Sequence, residues 1–97
     1  MTRLEFSPES QLDLIEIAAF IAQDNPARAK SFVDELEADC DRLITQSGIG
    51  APRPELGEGV RVLPHGRYLI FYRPDENVVR IARVLHSARD VGAAFQE

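Results

Sequence analysis

The sequence predicts an α+β fold in the order β-α-α-β-β-β, a helical hairpin packed on a small, mainly antiparallel sheet. Three observations carry this. Two stretches with helical spacing of apolar residues are separated only by Asp24-Asn25-Pro26. Two dense β-forming runs, residues 66–73 and 78–86, are joined by the turn sequence Pro74-Asp75-Glu76-Asn77. A short alternating segment, Arg3-Leu4-Glu5-Phe6, precedes both helices. At 97 residues the chain is expected to be a single domain, residues 1–97. A domain this small buries roughly 60–65% of the surface its unfolded chain exposes, so its core is thin.

The elements follow in order. Arg3-Leu4-Glu5-Phe6 alternates polar and apolar and reads as a strand. Ser7 and Pro8 then open a helix: a hydroxyl to cap free N–H groups, followed by a residue with no N–H to satisfy. The helix runs to about Gln23. Leu14, Ile17, Ala18 and Ile21 form one i, i+3, i+4, i+7 face, and Leu12, Ile15, Ala19 and Ala22 form a neighbouring one. A helix apolar on two faces needs two neighbours: the sheet on one side, and the next helix or a partner chain on the other. Asn25 caps the second helix, with Pro26 at its first position. Ala29, Phe32, Val33, Leu36, Cys40, Leu43 and Ile44 make its apolar stripe, while Asp34, Glu35, Glu37 and Asp41 lie off it and read as a solvated face. So short a link makes the two helices antiparallel.

Residues 47–59 form a Gly- and Pro-rich loop without the Gly-Lys-Ser/Thr of a phosphate-cradling loop. Val60-Arg61-Val62-Leu63 is the second strand, and Pro64-His65-Gly66 turns the chain into the third. There Tyr68, Ile70 and Tyr72 share one face, and Leu69 and Phe71 the other. Strict alternation in the fourth strand puts Val79, Ile81, Arg83 and Leu85 on one face, with Arg80 and His86 among the other set. Strands two to four then make an antiparallel meander, and the first strand joins the sheet across the helices. The tail from Ala88 to Glu97 is only weakly helical.

Composition narrows the function classes. Residues 1–50 carry 4 basic and 10 acidic side chains, net −6, and residues 51–97 carry 7 and 6, net +1. The helical half is acidic and the sheet half basic. An overall charge of −5 argues against a nonspecific nucleic-acid binder, whose affinity comes mainly from neutralising phosphates. Ten of the eleven basic residues are Arg, the better partner for planar carboxylates. No run approaches the ~18 apolar residues of a membrane span, and the N-terminus lacks a signal-peptide pattern, so a cytoplasmic location is the expectation. The one cysteine, Cys40, allows no internal disulfide and no Cys-based zinc site, and it falls on a helical core stripe. Two His residues without carboxylates at ligand spacing suggest no metal site, and no cofactor is implied.

Three positions carry candidate chemistry. His65 reads as a solvated turn residue. His86, beside Ser87, Arg89 and Asp90, is either a general acid/base or a strand-end His bonded to backbone. Arg83 interrupts an otherwise apolar strand face, and a buried guanidinium needs a partner. It either pairs with a carboxylate such as Asp90 or reaches a cleft, where Arg67 and Arg89 would complete a basic patch.

Residues 57–90, from Gly57-Glu58-Gly59-Val60-Arg61-Val62 through Gly66-Arg67-Tyr68-Leu69-Ile70-Phe71-Tyr72-Arg73 to Leu85-His86-Ser87-Ala88-Arg89-Asp90, resemble a ParE-type toxin of the ParE/RelE toxin–antitoxin superfamily. Phe6-Ser7-Pro8-Glu9, Ile21-Ala22-Gln23-Asp24-Asn25-Pro26 and Arg53-Pro54-Glu55-Leu56-Gly57 fit the same pattern, in the same order. The resemblance implies a toxin held inactive by a ParD-like antitoxin, with DNA gyrase as its target. RelE relatives are ribosome-dependent mRNA endoribonucleases, and that alternative would use Arg67, Arg83 and His86; a non-toxic, antitoxin-binding relative is the third reading. Compared with the ribonuclease branch, Tyr68 occupies the position of an Arg, and the tail Gly92-Ala93-Ala94-Phe95-Gln96-Glu97 has no Tyr. These differences favour the non-enzymatic reading, with no catalytic residues. The expected antitoxin contacts are Leu14, Ile17, Phe20, Ile21, Arg67 and Arg83, and the expected target contacts Arg83, His86 and Arg89. Without antitoxin, the same apolar strip could drive homodimerisation instead. No membrane and no direct, specific nucleic-acid partner is expected.

Overall fold

The computed structural model describes residues 1–95. β1 (Arg3–Phe6) leads into α1 (Pro8–Ala22) and α2 (Pro26–Thr45). A two-residue strand β2 (Ala51–Pro52) and a 3-10 turn (Pro54–Leu56) follow, then β3 (Arg61–His65), β4 (Tyr68–Asp75), β5 (Val78–His86) and a short helix α3 (Val91–Phe95). The strands form one sheet in the order β1-β5-β4-β3-β2. Every pairing is antiparallel except β1 with β5, which is parallel. The expected β-α-α-β-β-β order is thus observed, with β2 and the 3-10 turn added inside the Gly/Pro-rich loop.

Both helix starts follow from local chemistry. The Ser7 hydroxyl accepts the Ser10 N–H at 3.0 Å, and the Asn25 side-chain oxygen accepts the Arg28 N–H at 3.1 Å, each ahead of a proline. Leu36, Cys40 and Leu43 of α2 and Ile17 of α1 pack on Ile70, Tyr72, Val79, Ile81 and Val84 of the sheet. The opposite sheet face is covered too. Phe71, Leu85, Val60 and Val62 gather Leu56, Leu69 and the α3 residues Val91, Ala94 and Phe95 over themselves. The tail is therefore helical over Val91–Phe95; Gln96 and Glu97, also part of the tail expectation, lie outside the described residues.

Two expectations need correction. The strand begun at Val60 runs over Arg61–His65, and the turn is Gly66-Arg67, with Gly66 at φ +58°, a backbone region open to glycine at little cost. More consequential is the fourth strand. Phe71 pairs with Arg83 and Tyr72 with Ile81, so Ala82 is an unpaired bulge. One extra residue reverses every later side chain. Val79, Ile81, Val84 and His86 face the helices, whereas Arg83 and Leu85 join the opposite face.

The bulge is anchored by α1. Beyond Phe6, β1 no longer covers β5, and the exposed edge must find other partners. Ser7 donates its N–H to the Ile81 carbonyl at 3.0 Å and its hydroxyl to the Ala82 carbonyl at 2.7 Å. Asp13 accepts the Val84 N–H at 3.0 Å and two guanidinium hydrogen bonds from Arg83, at 2.8 and 2.9 Å. Arg83 also donates to the Ala94 carbonyl at 3.3 Å, which ties α3 to the same knot. Arg83 is thus paired, as one of its two readings required, but with Asp13 and not Asp90. Asp90 instead accepts the Ala93 N–H at the start of α3. The missed partner lies 70 residues upstream.

Candidate functional site

Two surfaces on the helical side of the molecule carry the features a binding site needs. The first is the outer groove of the hairpin. Ala18, Ala19 and Ala22 of α1 face Ala29, Lys30, Val33 and Asp34 of α2 across about 490 Å³. Its α1 rim continues through Ile15 and Leu12, which are 63% and 60% exposed. With Ala19 and Ala22 they make up the second apolar face of the sequence, and among the described residues that face is left exposed at Leu12, Ile15 and Ala19 and half-buried at Ala22. Next to it, Leu14 and Ile15 line a smaller hollow with Phe6, Gln11 and Glu37.

The second surface is a cleft where the C-terminal half of α1 meets the β4–β5 end of the sheet. Phe20, Ile21, Arg28, Phe32, Arg67, Tyr68 and His86 enclose about 370 Å³. An adjoining hollow of about 170 Å³ shares Phe20, Tyr68 and His86 and adds Glu16 and Arg89. The Ala82 bulge creates this arrangement, because without it His86 would point to the far face. Rings line the wall in sequence: Phe32 lies 5.4 Å from Tyr68, and Tyr68 stands edge-on to His86 at 5.2 Å. Phe20, 66% exposed, forms the lip.

His86 is held by its own backbone: Nδ1 accepts the Ala88 N–H at 3.0 Å. In the neutral ring the proton therefore sits on Nε2. Of the three residues of the ribonuclease-type reading, Arg67 and His86 share the cleft, while Arg83 is committed to Asp13 on the β5 edge. Arg89 borders the adjoining hollow. Among the expected antitoxin contacts, Phe20 is exposed and Leu14 and Ile21 are half-buried, but Ile17 is 6% exposed and belongs to the core.

His65 is not a solvated turn residue. It ends β3, and both ring nitrogens face carboxylates on α2: Nδ1 lies 2.6 Å from Asp39 and Nε2 2.9 Å from Glu35. A neutral imidazole has one donor and would set a lone pair against one of these anions, so the geometry calls for imidazolium. Burial works to lower the His65 pKa, but the hydrogen bonds and charges of Glu35 and Asp39 outweigh it and raise the value above the ordinary one. Hydrogen bonds from Arg28 and then His65 hold Glu35 down at about 2. Arg28 also lies over the Phe32 ring, 5.0 Å from its centre. This cluster fixes the outer wall of the cleft. Sequence spacing offered no hint of it, because the partners are 26 and 30 residues away. Cys40 is buried and its thiol is pushed up to about 12 by desolvation and by neighbouring acids, so it is a packing residue with no nucleophilic thiolate.

A family model described as "ParE toxin of type II toxin-antitoxin system, parDE" matches residues 4–91. The chain belongs to the ParE toxin family. Among solved structures, a chain of the chromosomal ParDE toxin–antitoxin system from P. aeruginosa superposes with a TM-score of 0.74 at 22% identity, over 89% of this chain and 96% of that one. The RelBE2 toxin–antitoxin complex from Mycobacterium tuberculosis matches with a TM-score of 0.60 at 26% identity, over 88% and 96%. No curated protein sequence matches the chain significantly. ParE and RelE relatives thus share this α+β architecture, two helices on a five-stranded sheet. Among the described residues, no helix is long and apolar enough to cross a membrane.

Proposed function

We propose that this ParE-family chain is the toxin of a type II module, neutralised by a ParD-like antitoxin and directed at DNA gyrase in the cytoplasm. The observation that carries the antitoxin half is the second face of α1, where Leu12, Ile15, Ala19 and Ala22 run along an alanine-floored groove that no other described residue fills. An amphipathic helix laid in such a groove buries both apolar faces at once. The solved relatives named for toxin–antitoxin systems support this reading. A segment continuing past Phe20 reaches Arg67 in the cleft, where acidic side chains would complement it. The target contacts assigned to this reading are His86 and Arg89; Arg83 serves it only by holding β5 in place.

The gyrase half rests on the cleft's poverty as a nuclease site. Cleaving RNA without a metal needs cations at the scissile phosphate and a group to move protons. By the family resemblance Tyr68 takes the place of an Arg of the ribonuclease branch, and Arg83 is bonded to Asp13. Arg67 and His86 do share a cleft, and this single observation favours the second reading, a RelE-like mRNA endonuclease.

Gyrase supercoiling with purified protein separates the two. Inhibition at near-stoichiometric protein is the expected result, while full supercoiling under a large excess removes gyrase as the target. Transcript cleavage in a translating extract, lost in His86→Ala and Arg67→Ala, would establish the nuclease instead. For the antitoxin contact, Phe20→Asp should fold normally and weaken neutralisation by a co-expressed ParD-like antitoxin. Ile17→Asp should abolish folding, since it puts a charge in the core.

A further inference from the structure

The hairpin groove has a charge as well as an apolar floor, and this deepens the antitoxin reading on which it rests. Residues 8–45 carry 3 basic and 9 acidic side chains, of which Asp13, Glu35 and Asp39 are bonded to Arg83, Arg28 and His65 away from the groove. On the α2 side of the groove, Lys30 is already bonded to Asp34 at 3.1 Å, so the pair adds little net field. Glu37 follows in the adjoining hollow and Asp41 one turn beyond it, and neither has an ion-pair partner among the described residues. The floor itself is made of methyl groups, Ala18, Ala19, Ala22 and Ala29, which let a second helix backbone come close.

We infer that the occupant of this groove is an amphipathic helix whose apolar stripe is flanked by Lys or Arg, supplied by another protein and not by a second copy of this chain. Electrostatic complementarity governs which partner docks and how fast, and like charges brought face to face work against association. A second copy would set the acidic hairpin against itself, Glu37 and Asp41 included. The homodimer that apolarity alone would allow is thereby disfavoured. A basic-flanked helix meets the same surface with opposite sign, and its apolar stripe covers Leu12 and Ile15.

The test uses two helical peptides of about 18 residues that share one Leu/Ala stripe, one flanked by Lys and Arg, the other by Glu. Each is titrated into the full chain by fluorescence anisotropy. At about 50 mM salt the basic peptide should bind about tenfold tighter or better, with the gap closing near 0.5 M salt as screening sets in. Glu37→Lys should weaken the basic peptide by about three- to tenfold and strengthen the acidic one. Equal or tighter binding of the acidic peptide overturns the inference, as does failure of both to bind. Sedimentation of the chain alone at about 50 μM should show a monomer; a dimer dissociated by Ile15→Asp would overturn it as well. Rescue of growth by a co-expressed ParD-like antitoxin probes the antitoxin reading independently, and stands or falls apart from the peptide result.

Discussion

Asp13 is the residue whose removal should damage this fold most for its size. The carboxylate is 5% exposed and accepts three hydrogen bonds, two from the Arg83 guanidinium and one from the Val84 backbone at the bulge. Asp13→Ala removes all three and leaves a largely buried cation facing a void. Breaking a buried ion pair from one side typically costs about 3–5 kcal/mol, because the surviving charge stays desolvated. Arg83 keeps its bond to the Ala94 carbonyl, which places the expectation near the lower end, about 3 kcal/mol. For a domain of this size that lowers Tm by roughly 12–24 °C. Asp13→Asn retains an acceptor for the Val84 N–H and should lose about half as much. Urea unfolding followed by circular dichroism reads both variants, and the asparagine form guards against an alanine form that does not fold. A loss within about 0.5 kcal/mol for Asp13→Ala would refute the argument, since surface substitutions fall in that range.

Two further outcomes are expected. The raised pKa of His65 means its stabilisation is complete below the ordinary histidine value of about 6.5 and is lost as pH rises through the folded value. Unfolding free energies of wild type and His65→Gln, measured from about pH 5.5 to pH 9, should converge toward the alkaline end; divergence would contradict the imidazolium bridge. Gly50→Ala should destabilise by about 1–3 kcal/mol, because a Cβ there would lie 2.5 Å from the Tyr72 hydroxyl and 2.7 Å from the Val62 carbonyl. Gly48→Ala, with nothing within 4 Å, is the matched control in the same thermal-shift experiment.

The elements that were legible in the sequence are those written in adjacent residues. Ser7-Pro8 and Asn25-Pro26 announce helix starts because capping is settled within four positions. The α2 stripe and the alternation of Tyr68 to Tyr72 were legible for the same reason. The face assignment after Ala82 was not. A bulge has no local signature here, and its anchors, Ser7 and Asp13, come from the opposite end of the chain. That one residue decides whether His86 or Arg83 enters the cleft, so half of the candidate site was hidden from any periodicity argument. His65 failed likewise: its turn-like neighbours Pro64 and Gly66 suggested exposure, while its carboxylate partners sit on a helix two elements earlier. The second face of α1 was readable in outline. Which of its residues would be free was not, because Ile17 and Phe20 differ by less than a turn and end at opposite extremes of burial.

The parallel seam between β1 and β5 has a consequence for biosynthesis. The first strand emerges from the ribosome with no neighbour to zip against until residues 78–81 have also emerged, so the sheet cannot close before β5 has been made. A nascent or prematurely terminated chain therefore lacks its N-terminal edge, and with it the register that seats Ser7 and Asp13 on the bulge. Closure of the N-terminal edge is timed by β5.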